Sequence, residues 1–330
     1  MTEFLLSFDL DINAKDKNGQ TALHLSVKNK NKEISKLLIS HDSDVNAKNK
    51  NGQTALHYAV KNKNKEIIEL LLSHGANVNA KDNVCEDTPL HFAARYNKKI
   101  EIIKILLSHD ALINKTNRKY QTALHYAAKY KHRKILMLLI SNGAYINLPN
   151  KRYEKTALHY AAKYNDIETA KILLSHGSNI RKQDAKGYIP LHYAASCNSI
   201  KTTELLIKHK SNVNARDFSE CTALHYAAWC NCPETAKFLI LHGADVNSMN
   251  KYGKTPLHYS AKNNWIEIAR ILISHGANIN LKDNDGKTPL HYAVRFIPQD
   301  TAKFLIFHGA DKDSKDNNGM TPVQYSVLPI

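Results

Sequence analysis

The stretch TALHYAVKNKNKEIIELLLSHGANVNAKD, residues 54–82, decides the fold. Leu56, Ala59 and Val60 fall on one face of a short helix, and Ile67, Leu70 and Leu71 on one face of a second. Both segments are too short to be stable helices in isolation. Such a pair gains stability only by leaning on another pair, so the chain is expected to be built by repetition.

Thr54-Ala55-Leu56-His57 has counterparts at residues 21–24, 88–91, 122–125, 156–159, 189–192, 222–225, 255–258 and 288–291. A worn copy, Thr321-Pro322-Val323-Gln324, ends the series. Six of the nine intervals are 33 residues and three are 34. About 20 residues after an anchor comes a Ser-His-Gly-Ala motif, as at residues 73–76 and 274–277, and then Val-Asn or Ile-Asn. Gly75, Gly143, Gly177, Gly243, Gly276 and Gly309 read as helix C-caps, with Asp42, Asp110 and Lys210 in the same place elsewhere. Asn97, Asn165, Asn198, Asn231 and Asn264 mark the turn between the helices, where Lys30, Lys63, Lys131 and Ile297 stand in other copies. Paired small residues such as Ala93-Ala94, Ala127-Ala128 and Ala161-Ala162 allow first helices to approach closely. The extra residues fall between Asn79 and Thr88, between Asn147 and Thr156, and between Tyr96 and Glu101, where loops are expected.

These motifs resemble the ankyrin repeat, over essentially the whole chain. The resemblance implies an all-α solenoid of helix–turn–helix units with β-hairpins or loops between them. It would be a curved, right-angled stack of about nine full repeats with partial repeats at both ends. One domain, 1–330, would divide into 17–49, 50–82, 83–116, 117–150, 151–183, 184–216, 217–249, 250–282 and 283–315. Residues 1–16 would be a partial repeat with a second helix only, and 316–330 one with a first helix only, closed by Pro329. On this reading the chain starts and stops mid-repeat, as a piece of a longer protein would. The resemblance also implies a structural role for the anchor imidazoles. His24, His57, His91, His125, His159, His192, His225, His258 and His291 would bond the motif Thr and the hairpin backbone.

Other classes are disfavoured. Eight further histidines, His41, His74, His109, His176, His209, His242, His275 and His308, precede the C-cap and suit a helix dipole, leaving His132 over. Rows about 10 Å apart do not converge on zinc. Gly253-Lys254-Thr255 and Gly286-Lys287-Thr288 imitate the end of a phosphate loop, but Ser248 and Leu281 stand where its first glycine belongs. Five cysteines at irregular spacing argue against a disulfide framework and for a reducing compartment. Cys197 and Cys230 would stack in adjacent repeats, too far apart to join. The stretch 4–6 behind Glu3 is too short for a signal, and the run 135–140 is far short of the roughly 20 residues of a membrane span. No catalytic constellation, cofactor, metal or small-molecule substrate is expected, and the predicted protein is a non-enzymatic scaffold of the cytoplasm, with the nucleus open.

By resemblance, a partner is bound on the concave face and the hairpin tips, with the variable contacts on the two residues after the small pair of each first helix. These include Arg95-Tyr96, Lys129-Tyr130, Lys163-Tyr164, Trp229-Cys230 and Arg295-Phe296. Seven of the nine first positions are Lys or Arg, which with a net charge of +16 points to an acidic protein segment. A basic turn region between Lys115 and Lys186 adjoins this strip. Three alternatives stand beside this reading. The charge could reflect coding bias toward Lys and Asn, or it could serve nonspecific binding to nucleic acid or an anionic membrane. The array could also be the targeting module of a larger protein. Nucleic acid is the less favoured partner, because this fold does not usually read base edges. A second row, Tyr58, Tyr126, Tyr160, Tyr193, Tyr226, Tyr259 and Tyr292, reads as packing between repeats.

Overall fold

The computed structural model describes residues 11–97, 99–295 and 299–326. Among these the chain forms eighteen α-helices and one 3-10 turn, and no strand. The helices group into two compact units, residues 1–152 and 153–330, divided within a turn that carries one of the extra residues.

In the first unit, the first helices are Ala22–Lys28, Ala55–Lys61, Pro89–Tyr96 and Ala123–Lys129. Their second helices are Lys32–Ser40, Lys65–Ser73, Ile100–Ser108 and Arg133–Ser141. In the second unit, the first helices are Ala157–Lys163, Pro190–Ser196, Ala223–Trp229, Pro256–Lys262 and Pro289–Ala293. The second helices there are Ile167–Ser175, Ile200–Lys208, Pro233–Leu241, Ile266–Ser274 and Asp300–Phe307. Within each unit a first helix packs on its own second helix and on the first helix of the next pair. Alanines line that contact: Ala93, Ala94, Ala194, Ala195, Ala227 and Ala228 are fully buried. A single Cβ at each lets the helix axes come close.

The second helices bury adjacent pairs one turn apart. Ile67, Ile68 and Leu71 are fully inaccessible, as are Ile103 and Leu106, and Ile135, Leu136 and Leu139. Leu70, expected in the core, is half-exposed, and Ile68 takes its place. The buried arc faces both the partner helix and the next pair, so it is wider than a single seam.

The turns between the helices need a left-handed residue. Lys30, Lys63, Lys131, Asn165, Asn198, Asn231 and Asn264 all have φ between 49° and 61°. Asn97 does not: its backbone is extended, at φ −106°. Its helix runs one residue longer than most, and Asn97 Nδ2 donates to Val60 O at 3.0 Å. Ile297 and the extra residue at Lys98 lie outside the described residues. Each second helix of the Ser-His motif ends on its histidine, which is the C-cap itself and not the residue before it. The ring Nδ1 donates to the carbonyl four residues back, as from His74 to Leu70 at 2.8 Å and from His242 to Phe238 at 2.8 Å. This bond requires a proton on Nδ1 but no charge on the ring.

Where hairpins were open as a possibility, the structure has turns closed by an Asp or Asn at their base. Asp184 Oδ1 accepts from the backbone of Lys186 and Tyr188 at 2.8 and 3.0 Å. Asn49, Asn117, Asp217, Asn250 and Asp283 act alike. One backbone bond joins each turn tip to the next within a unit, for example Phe218 N to Lys186 O at 3.1 Å and Asn284 N to Tyr252 O at 3.0 Å. A single bond per tip makes no ladder, hence no strand. At the C-terminal side, Pro322–Tyr325 is a 3-10 turn and not the expected α-helix. Residues 1–10, in the expected first partial repeat, and Pro329, in the expected last one, lie outside the described residues.

Candidate protein-binding surface

The anchor histidines are fully buried. The backbone N–H of Thr222 donates to His225 Nδ1 at 3.1 Å, and the Thr222 hydroxyl lies 2.9 Å from the same nitrogen. With Nδ1 accepting, the proton sits on Nε2 and is donated forward to Lys254 O, 3.0 Å away in the next repeat. His24, His57, His91, His159, His192, His258 and His291 repeat this reach at 2.8–3.2 Å. Burial holds these imidazoles below their ordinary range, and the pKa falls to about 4 for His57, His159, His225 and His258. Ile189, the one anchor without a hydroxyl, keeps its N–H bond to His192 at 3.1 Å. Among the described residues no group of three or more His, Cys, Asp or Glu is placed to hold a metal. His132 Nδ1 lies 2.9 Å from Ala94 O, a bond between repeats.

Within each unit the tyrosine row packs as expected: Tyr58, Tyr126, Tyr193, Tyr226, Tyr259 and Tyr292 lie edge-on to the anchor histidine of the preceding repeat, as His192 meets Tyr226 with centroids 5.8 Å apart. Sequence reading missed what the hydroxyls do. Tyr193, Tyr226 and Tyr292 donate to Asp184, Asp217 and Asp283, each nine residues upstream in the turn. Burial, then the adjacent carboxylate, raises the phenol pKa at all three. The signal was present as Asp-x8-Tyr. The Gly-Lys-Thr stretches are likewise turn and anchor: Gly253 and Gly286 have φ of 70° and 75°, and Thr255 and Thr288 cap helices.

In the first unit the proposed contact residues gather around one guanidinium. Arg95 lies 5.0 Å from the centroid of Tyr96 and 5.9 Å from those of Tyr126 and Tyr130. Lys61 stands over Tyr96 at 5.7 Å and Lys129 over Tyr130 at 5.3 Å. Tyr130 stacks on Tyr126 from the same first-helix region, at 6.1 Å and 10°. Arg95 is half-buried, and none of these three cations is paired with a carboxylate among the described residues. By contrast Arg118, in the basic turn region, lies 3.5 Å from Glu86.

In the second unit Lys163 stands over Tyr164 at 5.7 Å, and Tyr164 stacks on Tyr160 at 6.5 Å. Trp229, 51% exposed, stacks on Tyr226 at 6.4 Å and on Tyr259 at 5.5 Å. Arg295 lies 5.1 Å from the Tyr325 ring centroid. Phe296 lies outside the described residues. The sequence reading did not select Phe218 or Tyr252, exposed at 65% and 52%, which line one open groove with Trp229. They sit on turn tips, a surface the resemblance implied without singling out these two residues. All five cysteines are free, and burial raises the thiol pKa of Cys232 to about 11. No described helix is long and apolar enough to cross a membrane.

No curated protein matches the chain. A family model described as ankyrin repeats, three copies, matches residues 1–82, 80–150, 134–217, 158–250 and 224–316. With matches that run from one end of the array almost to the other, over helix pairs stitched by their anchor imidazoles, the chain belongs to the ankyrin-repeat family.

Proposed function

We propose that this protein is a non-enzymatic scaffold that captures an acidic segment of another protein on its first helices. Ankyrin repeats are generally protein–protein interaction modules. The observation that carries the finer reading is Arg95: three tyrosine rings hold its guanidinium, and among the described residues it forms no ion pair. Held in this way, it loses little freedom when it meets a planar carboxylate, and such bonds are often bidentate. Lys61 and Lys129 extend the positive strip across the neighbouring repeats, and Lys163 with Tyr164 offers the same pair in the second unit. The free, scattered cysteines fit action in a reducing compartment, the cytoplasm.

The test uses a fluorescein-labelled ten-residue polyglutamate peptide and fluorescence anisotropy. Arg95→Glu is expected to weaken binding by about tenfold or more, and Lys129→Glu and Lys163→Glu by less. Binding by Arg95→Glu equal to that of the unaltered protein removes the reading.

A further inference from the structure

The second unit holds an open groove of about 510 Å³ between the turns 184–188, 217–221 and 250–254. Phe218, Trp229 and Tyr252 line it, each more than half exposed. A contiguous set of exposed large rings on a soluble chain marks an interaction site. Lys186 and Lys251 also line it, and a smaller adjoining depression, sharing Trp229, Tyr252 and Tyr259, adds Lys254 and Lys262. No carboxylate lines either one. Lys254 lies 3.9 Å from Asp283, whereas Lys186, Lys251 and Lys262 have no ion pair among the described residues.

We propose that this groove docks an extended acidic protein segment that carries an aromatic side chain at every third position. Charge complementarity selects the acidic residues, because four lysines and no carboxylate line the two depressions. The spacing follows from the array: successive repeats recur about every 10 Å, and a chain extended in the polyproline II form advances about 9 Å per three-residue turn and returns every third side chain to the same face. An aromatic side chain at that interval meets the rings of one repeat after another, while the intervening carboxylates reach the lysines. Single-stranded nucleic acid, the other polymer of negative charge and flat rings, is less well matched. It binds on open ring faces, and Trp229 already stacks with Tyr226 and Tyr259.

This site rests on the reading of the chain as a binding module but uses none of the Arg95 cluster. The probe is a labelled nine-residue peptide, Glu-Asp-Phe repeated three times, followed by anisotropy. It is expected to bind at least about tenfold tighter than the same peptide with Ala for Phe. Joint Phe218→Ala and Trp229→Ala substitution is expected to weaken it by about tenfold or more. Joint Lys186→Glu and Lys251→Glu substitution, at exposed positions that leave the rings in place, should do the same. Arg95→Glu should leave this probe unaffected. Equal binding of the Phe and Ala peptides overturns the proposal. So does undiminished binding by both double variants, or loss with Arg95→Glu while the groove variants bind normally. A labelled twelve-residue oligouridylate that binds through Trp229 in place of the peptide would overturn it in favour of nucleic acid.

Discussion

Asp42, Asp110 and Lys210 adopt φ of 61–64° where six repeats place glycine. A left-handed backbone costs a side chain about 1 kcal/mol, and the corresponding glycines have open space around them. Asp110→Gly and Lys210→Gly are therefore expected to raise stability by about 0.5–1 kcal/mol each, read as a shift in urea midpoint. At the anchor, Thr222→Val removes the hydroxyl from the His225 imidazole and from the helix start. It should cost about 1–2 kcal/mol in the same assay. Residue roles were legible where one local rule decides them. The left-handed glycines after the second helices are such cases, whereas the role of the anchor histidines came from the family resemblance, because their acceptors lie in the next repeat. Leu70 was misplaced because apolar spacing alone does not say which side of a wide buried arc faces outward. The bonds from Tyr193, Tyr226 and Tyr292 to turn aspartates escaped because helix and turn meet only after folding.

Among the elements, the first helices are set by what is absent from them. Ala227 and Ala228 are fully buried at the contact between successive first helices of the second unit. Ala227→Leu has no room to enter and should cost about 1–3 kcal/mol or more by forcing the pair apart. Circular dichroism melting at 222 nm measures it, and an unchanged midpoint would contradict the packing described. Helix pairs were readable because their period is carried by apolar spacing and by punctuation at fixed offsets. The turn geometry was less so. An Asp or Asn at the base of each turn takes up its amides locally, leaving one bond to the neighbouring tip, and this competition is not visible in propensity. Phe218 and Tyr252 shared that fate: nothing in a turn's sequence says that its aromatic ring will face a groove.

For the molecule as a whole, the dominant pH response comes from the buried imidazoles. Their pKa is lower folded, about 4 at four positions, than the ordinary 6.5 of an unfolded chain. The unfolded chain therefore takes up protons first. Stability is complete above pH 6.5 and is lost as pH falls from there toward 4, by on the order of 3 kcal/mol for each such histidine. Urea midpoints at pH 7.5, 6 and 5 should fall steadily, and equal midpoints at 7.5 and 5 would refute the assignment. At this scale charge was legible from composition and repetition from the spacing of the anchors. The distribution of unpaired cations was not, since Arg118 is paired and Arg95 is not, although both are basic positions on one array.

The anchor bond also has a direction. Within each unit the anchor imidazole hands its proton to a carbonyl in the following repeat, whereas the turn-tip amide hands its own to the preceding one. Peeling repeats away from the C-terminal side would thus uncover one ring at a time and let it titrate normally. When repeats are peeled from that side, His291, bonded to Met320 O, should respond ahead of His258, bonded to Lys287 O. In a proton NMR titration the histidine Cε1 resonances then act as numbered gauges, reporting how far along the array fraying has advanced.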